Sequence, residues 1–72
     1  KSTSMEVDLV IDAPFGIIPV EIKLGSSVKK QALRGLNNLI ADLKLEFGLL
    51  INSGNRVEQL SDRIIQVPVH FL

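Results

Sequence analysis

A chain of 72 residues, with no cysteine and eight basic side chains against eight acidic ones, has room for one small domain and no disulfide framework or thiolate metal cage. The zero formal net charge excludes holding nucleic acid by bulk electrostatics alone. No apolar run approaches the roughly 20 residues of a bilayer span. At 46% hydrophobic the chain is too apolar for disorder, so a small, soluble, globular, cytoplasmic protein is expected. The chain starts at Lys1 rather than Met, which predicts a piece of something longer.

Residues 1–5 are polar and read as a tail. Glu6-Val7-Asp8-Leu9-Val10-Ile11-Asp12 alternates around β-branched residues and predicts a strand. Ala13-Pro14-Phe15-Gly16 predicts a turn, and Ile17-Ile18-Pro19-Val20-Glu21-Ile22-Lys23 a second strand, so the two form an antiparallel hairpin. Gly25-Ser26-Ser27 is a stop followed by a cap, with Ser27 the better N-cap for a helix from about Val28 to Leu43. Its apolar residues, Val28, Ala32, Leu33, Leu36, Leu39, Ile40 and Leu43, fall in one arc of roughly 140°. Lys30, Arg34, Asn37, Asn38 and Lys44 fall opposite.

Leu45 to Ile51 predicts a third strand, apolar enough to be central, and Asn52-Ser53-Gly54-Asn55 a turn. Val57 to Leu60 and Ile64 to Val67 predict two more short strands, the last on an edge because Pro68 limits pairing. A strand-helix-strand crossover places the third strand parallel to the second. The expected fold class is α/β: a small mixed sheet, one crossover helix packed on its apolar face, and no internal domain boundary in residues 1–72.

Alternation along the strands separates charge from apolar surface. Asp8 shares a face with Glu6 and Val10, and Glu21 shares one with Pro19 and Lys23, while Ile18, Val20 and Ile22 form the apolar face. Folding the hairpin about Pro14 and Phe15 opposes Asp12 to Ile17, Val10 to Pro19, Asp8 to Glu21 and Glu6 to Lys23. Two carboxylates with Cβ atoms about 5 Å apart repel, share a proton or bind a cation. A divalent ion resolves the conflict, since Mg²⁺ takes one or two carboxylates plus waters and substrate phosphate. Lys23 on the same face could position the attacking water. The same pattern also describes an ordinary wet sheet face with a Glu6–Lys23 cross-strand pair.

Asp8 and, thirteen positions on, Glu21-Ile22-Lys23 resemble the D…(D/E)xK signature of the restriction-endonuclease-like nuclease superfamily. More narrowly, Glu6-Val7-Asp8-Leu9-Val10-Ile11, Ile18-Pro19-Val20-Glu21-Ile22-Lys23, Gly35-Leu36 and Val67-Pro68-Val69 resemble the C-terminal DUF4143 domain of prokaryotic AAA-type P-loop ATPases. The resemblance spans about residues 6 to 69. It implies a restriction-endonuclease-like core lacking its N-terminal helix, at the end of a longer chain whose ATPase domain lies upstream; no Walker A sequence is present. It further implies that Asp8 and Glu21 bind the metal, Mg²⁺ with Mn²⁺ as a substitute. The Ile22 backbone carbonyl is then a further ligand and Lys23 the catalytic lysine. The chemistry implied is metal-assisted hydrolysis of DNA phosphodiesters. Many members of that group carry the fold as a scaffold, so a non-catalytic interaction or structural module of the ATPase is the alternative, and a homo-oligomerising sheet a third.

Among the remaining residues, Lys29, Lys30 and Gln31 at the helix start read either as a phosphate site or as a solvated turn. Arg34 with Lys30 makes a small basic stripe. His70 reads as a packing residue, and the three Phe form no interleaved platform for stacking bases.

Overall fold

The structure, a computed structural model, describes residues 7–25 and 29–71. It is α/β. The strands are β1 (Leu9–Ala13), β2 (Gly16–Ile22), β3 (Gly48–Asn52), β4 (Glu58–Ser61) and β5 (Ile64–Pro68). One helix, α1 (Lys30–Leu43), crosses from β2 to β3, and a single 3₁₀ turn, Val69–Phe71, follows β5. The five strands form one mixed sheet in the order β1-β2-β3-β5-β4. β2, β3 and β5 are parallel, flanked by antiparallel β1 and β4. The hairpin register is the expected one, with Asp12 opposite Ile17 and Val10 opposite Pro19, and β3 runs parallel to β2 as the crossover requires.

Two expectations about placement are overturned. The last strand is not an edge: β5 lies between β3 and β4. Pro68 is tolerated because it is the final residue of β5, paired only with Asn52 of β3, while β4 reaches no further along β5 than Gln66. The helix, moreover, does not pack on the Ile18, Val20 and Ile22 face. A Cβ on Gly48 would point at Ile40 Cδ1 at 3.0 Å and Leu36 Cδ1 at 3.4 Å, so α1 covers the face of Gly48. Register and alternation put Leu50, Ile64, Gln66, Pro19 and Glu21 on that same face. Leu36, Ile40, Leu50 and Ile64 form the core, with Leu33, Leu45 and Leu60 packed around it.

The opposite face is apolar across β1, β2, β3 and β5, with Leu9, Ile11, Ile18, Val20, Ile22, Leu49, Ile51, Ile65 and Val67, before the β4 edge brings in Gln59, and no helix lies over it among the described residues. Ile18, Val20 and Ile51 are buried near its centre; Leu9, Ile11 and Ile22 are exposed. The reason lies in β2, whose Ile18, Pro19, Val20 and Glu21 are all buried, so alternation along it does not mark an inner side.

The predicted helix is present, but its apolar arc is only partly used. Leu43 is exposed, and Asn37, assigned to the wet side, is half-buried with its Oδ1 accepting from the Ser61 hydroxyl at 3.2 Å. Ser27 and Val28 lie outside the described residues; Lys29 occupies the N-cap position with no side-chain cap bond. At the other end Lys44 is left-handed, φ 55° and ψ 46°, its N–H donating to Ala41 while the Leu45 N–H donates to Ile40. This is a Schellman closure on a residue that carries a Cβ. Lys44→Gly is therefore expected to raise stability by about 1 kcal/mol, since the left-handed strain of roughly 1–2 kcal/mol disappears against a smaller entropic loss. In thermal unfolding that is a rise in midpoint of about 4–8 °C for a chain this short; an unchanged or lower midpoint rules the account out. No helix among the described residues is long and apolar enough to cross a membrane.

Candidate functional site

Asp8 stands one residue before β1, where the ladder with β2 gives out. Its N–H donates to the Val20 carbonyl at 3.0 Å, and its Oδ2 accepts from the Ile22 N–H at 2.8 Å. The carboxylate thus replaces the main-chain acceptor that a longer β1 would have offered to β2. The last paired positions are Leu9 and Val20. Asp8 and Glu21 are consequently not opposed in the ladder, contrary to the register expected from the turn. The chain slips at Asp8, which bonds to both neighbours of Glu21 instead. A charge-assisted bond from a backbone N–H is worth about twice a neutral one, enough to hold this diagonal arrangement.

Glu21 is 5% exposed, on the helix-covered face. Its Oε2 accepts from Lys23 Nζ at 3.2 Å, and its Oε1 is buried with no hydrogen-bond partner among the described residues. The Lys23 side chain is about half exposed, so the pair joins a sealed carboxylate to a solvated ammonium. The Lys23 N–H donates to the Ile51 carbonyl at 2.8 Å, fixing its backbone against β3. Two residues on, Gly25 adopts φ 130°, a conformation open to glycine. Its N–H donates to Ser53 Oγ at 3.1 Å and its carbonyl accepts from the Ser53 N–H at 3.0 Å, so the chain leaving the site is clamped to the loop after β3.

The structure therefore brings Asp8, Glu21, Ile22 and Lys23 together at the carboxyl end of β2. Glu6 lies outside the described residues, and with it the expected Glu6–Lys23 pair. Lys29, Lys30, Gln31 and Arg34 are exposed. His70 packs edge-on against Phe71, ring centroids 5.0 Å apart. Phe15 and Phe47 do come together, centroids 6.0 Å apart, but beside the amino ends of β2 and β3, away from the carboxylates.

Among the described residues no three His, Cys, Asp or Glu side chains gather as metal ligands. A cation here would depend on two carboxylates, the Ile22 carbonyl, waters and substrate oxygen, a set that suits a hard ion such as Mg²⁺. The residues present fit that group in one respect: a carboxylate oxygen taken out of water without a donor is what a cation would satisfy.

Two functional candidates escaped the sequence reading. Asn52 is fully buried at the end of β3, Oδ1 accepting from the Gly54 N–H at 3.1 Å and Nδ2 without a partner among the described residues. Gln66 is 7% exposed in the middle of β5. The signal was a lone amide inside the apolar run Ile64-Ile65-Gln66-Val67.

A family model described as Domain of unknown function (DUF4143) matches residues 1–72. No curated protein and no solved structure matches the chain.

Proposed function

The chain belongs to the DUF4143 family, and from that membership we propose a nuclease-like domain of a prokaryotic AAA-type ATPase, acting on DNA phosphodiesters in the cytoplasm with Mg²⁺ or Mn²⁺. The observation that carries the reading is the buried Oε1 of Glu21, without a hydrogen-bond partner among the described residues, between Lys23 on its Oε2 and the Ile22 N–H that holds Asp8 Oδ2. A site selected for stability alone would pair or remove that oxygen. Asp8, Glu21 and the Ile22 carbonyl would hold the ion. When bound, it supplies a polarised phosphate and a hydroxide nucleophile near neutral pH. Asp8 is oriented by the Ile22 N–H, so the same residue that would offer its carbonyl also aims the carboxylate. Lys23, tethered through its backbone to β3 but solvated at its tip, donates a proton contact to the attacking water or to a phosphate oxygen.

Titration with Mg²⁺ or Mn²⁺, followed by NMR or calorimetry, tests the proposal. Binding at millimolar concentration or tighter is expected, with perturbed resonances at residues 8 and 21–23. Asp8→Ala and Glu21→Ala should each abolish it. No perturbation at these positions removes the physical basis of the reading. Hydrolysis is tested separately on branched, flapped and linear DNA with the full-length chain.

A second reading, a non-catalytic module of the ATPase, is favoured by the bare apolar face with its exposed Leu9, Ile11 and Ile22. Its proposed occupant is the ATPase domain upstream. Metal binding without cleavage of any of those substrates would favour it.

A further inference from the structure

A cavity of about 310 Å³ opens beyond the carboxyl end of β3, lined by Ser53, Gly54, Asn55, Arg56, Glu58 and Gln66. We propose that it is a nucleobase subsite, read by the side-chain amide of Gln66; this rests on the phosphodiester reading of the Asp8–Glu21 site. Gln66 is the buried polar group of the cavity and makes no side-chain hydrogen bond among the described residues. A primary amide carries two donors and an acceptor, and those of Gln66 are not sealed inside the protein but open to the cavity, where a ligand can use them. Side by side, its donor and acceptor match the paired donor and acceptor on the edge of a base, as Asn and Gln do with adenine.

Placement supports the same ligand. Glu21 is opposite Leu50, and Leu50 opposite Gln66, so the acid and the amide share one face with a single strand between them. That separation is about 10 Å, and because Leu50 between them is fully buried under α1, a ligand would reach both only around the carboxyl ends of the strands. The carboxyl ends of parallel strands are where open α/β sheets take their ligands. The cavity wall is also built to hold its shape. Gly54 has Asn52 Oδ1 only 3.2 Å from where a Cβ would stand, and Ser53 is bonded to Gly25, two residues past Lys23. Wall and acidic site are thereby one clamped unit. At the rim Arg56 is held only by a 3.9 Å contact to Glu58 and is largely exposed, so its guanidinium is available to stack on a base or meet a phosphate.

The four nucleoside 5′-monophosphates and a short single-stranded DNA, each titrated without metal into the ¹⁵N-labelled intact chain, test this. The expected result is a shift of the Gln66 side-chain NH₂ resonances that depends on the base. Gln66→Leu should weaken that binding about tenfold, the discrimination of one good bidentate contact, while Mn²⁺ broadening near Asp8 and Glu21 stays as in the wild type. Response to the DNA but not to monophosphates assigns the site to a polynucleotide. Shifts reproduced by ribose 5-phosphate would mean an anion at Arg56 and overturn the proposal, as would no response at Gln66 to any base. Should Gln66→Leu fail to fold, the wild-type titration alone decides. Loss of Mn²⁺ binding with base binding retained would count against the metal site, not this one.

Discussion

Leu36→Ala is expected to lower the unfolding free energy by about 2–5 kcal/mol, the range for emptying a fully buried leucine site. Leu36 is 0% exposed and packs with Ile40, Leu50 and Ile64 between helix and sheet. The site is poorly able to collapse, because β3 already approaches as closely as glycine allows: a Cβ on Gly48 would sit 3.3 Å from the Pro19 carbonyl oxygen and 3.4 Å from Leu36 Cδ1. At about 0.05–0.15 kcal/mol per residue, a chain of this length has roughly 4–11 kcal/mol in total, so the substitution removes much of it. Leu43→Ala, on the same arc of α1 but exposed, should stay within about 0.5 kcal/mol. Urea midpoints with unchanged slopes measure both. Equal losses would mean that the helix does not dock through Leu36.

Glu21→Leu is expected to act in the opposite direction, stabilising by about 1–2 kcal/mol while ending the proposed cation binding. The wild-type residue confines a carboxylate to 5% exposure, leaves Oε1 without a donor among the described residues, and offers Oε2 one contact with a half-solvated lysine. Removing an incompletely satisfied buried charge commonly helps stability. Lys23 loses little, because its ammonium already meets water. The sign is the test: a midpoint that falls by the equivalent of 1 kcal/mol or more would make the Glu21–Lys23 pair a structural ion pair rather than a strained functional group.

Much of the fold is legible in the residues. Pro14-Phe15 fixes the turn, the turn fixes the register, and a helix between two apolar strands forces them parallel. What was not legible depends on partners far along the chain. Both sides of β2 carry enough carbon to face a core, and only the docking of Leu36 and Ile40 onto Gly48, Leu50 and Ile64 decides which side α1 covers. Pro68 read as an edge marker because its missing donor was visible, whereas its place at the strand end was not. At the candidate site, Asp8, Glu21 and Lys23 are singled out by residue type and spacing as candidates. The slip that turns Asp8 toward the Ile22 N–H could not, since it arises where the ladder stops. Gln66 and Asn52 carry no motif; their interest comes wholly from burial.

The strand order also dictates how the molecule assembles. β1–β2 and β4–β5 are local hairpins, each closed by a short turn and able to form within microseconds. β3 is paired on both sides to strands distant in sequence, and always in parallel. Its insertion closes the longest loops and is the slow entropic step. Asn52 and the Ser53–Gly25 clamp lie at or just beyond the end of that strand, so the carboxyl edge of the sheet is completed only when the keystone seats.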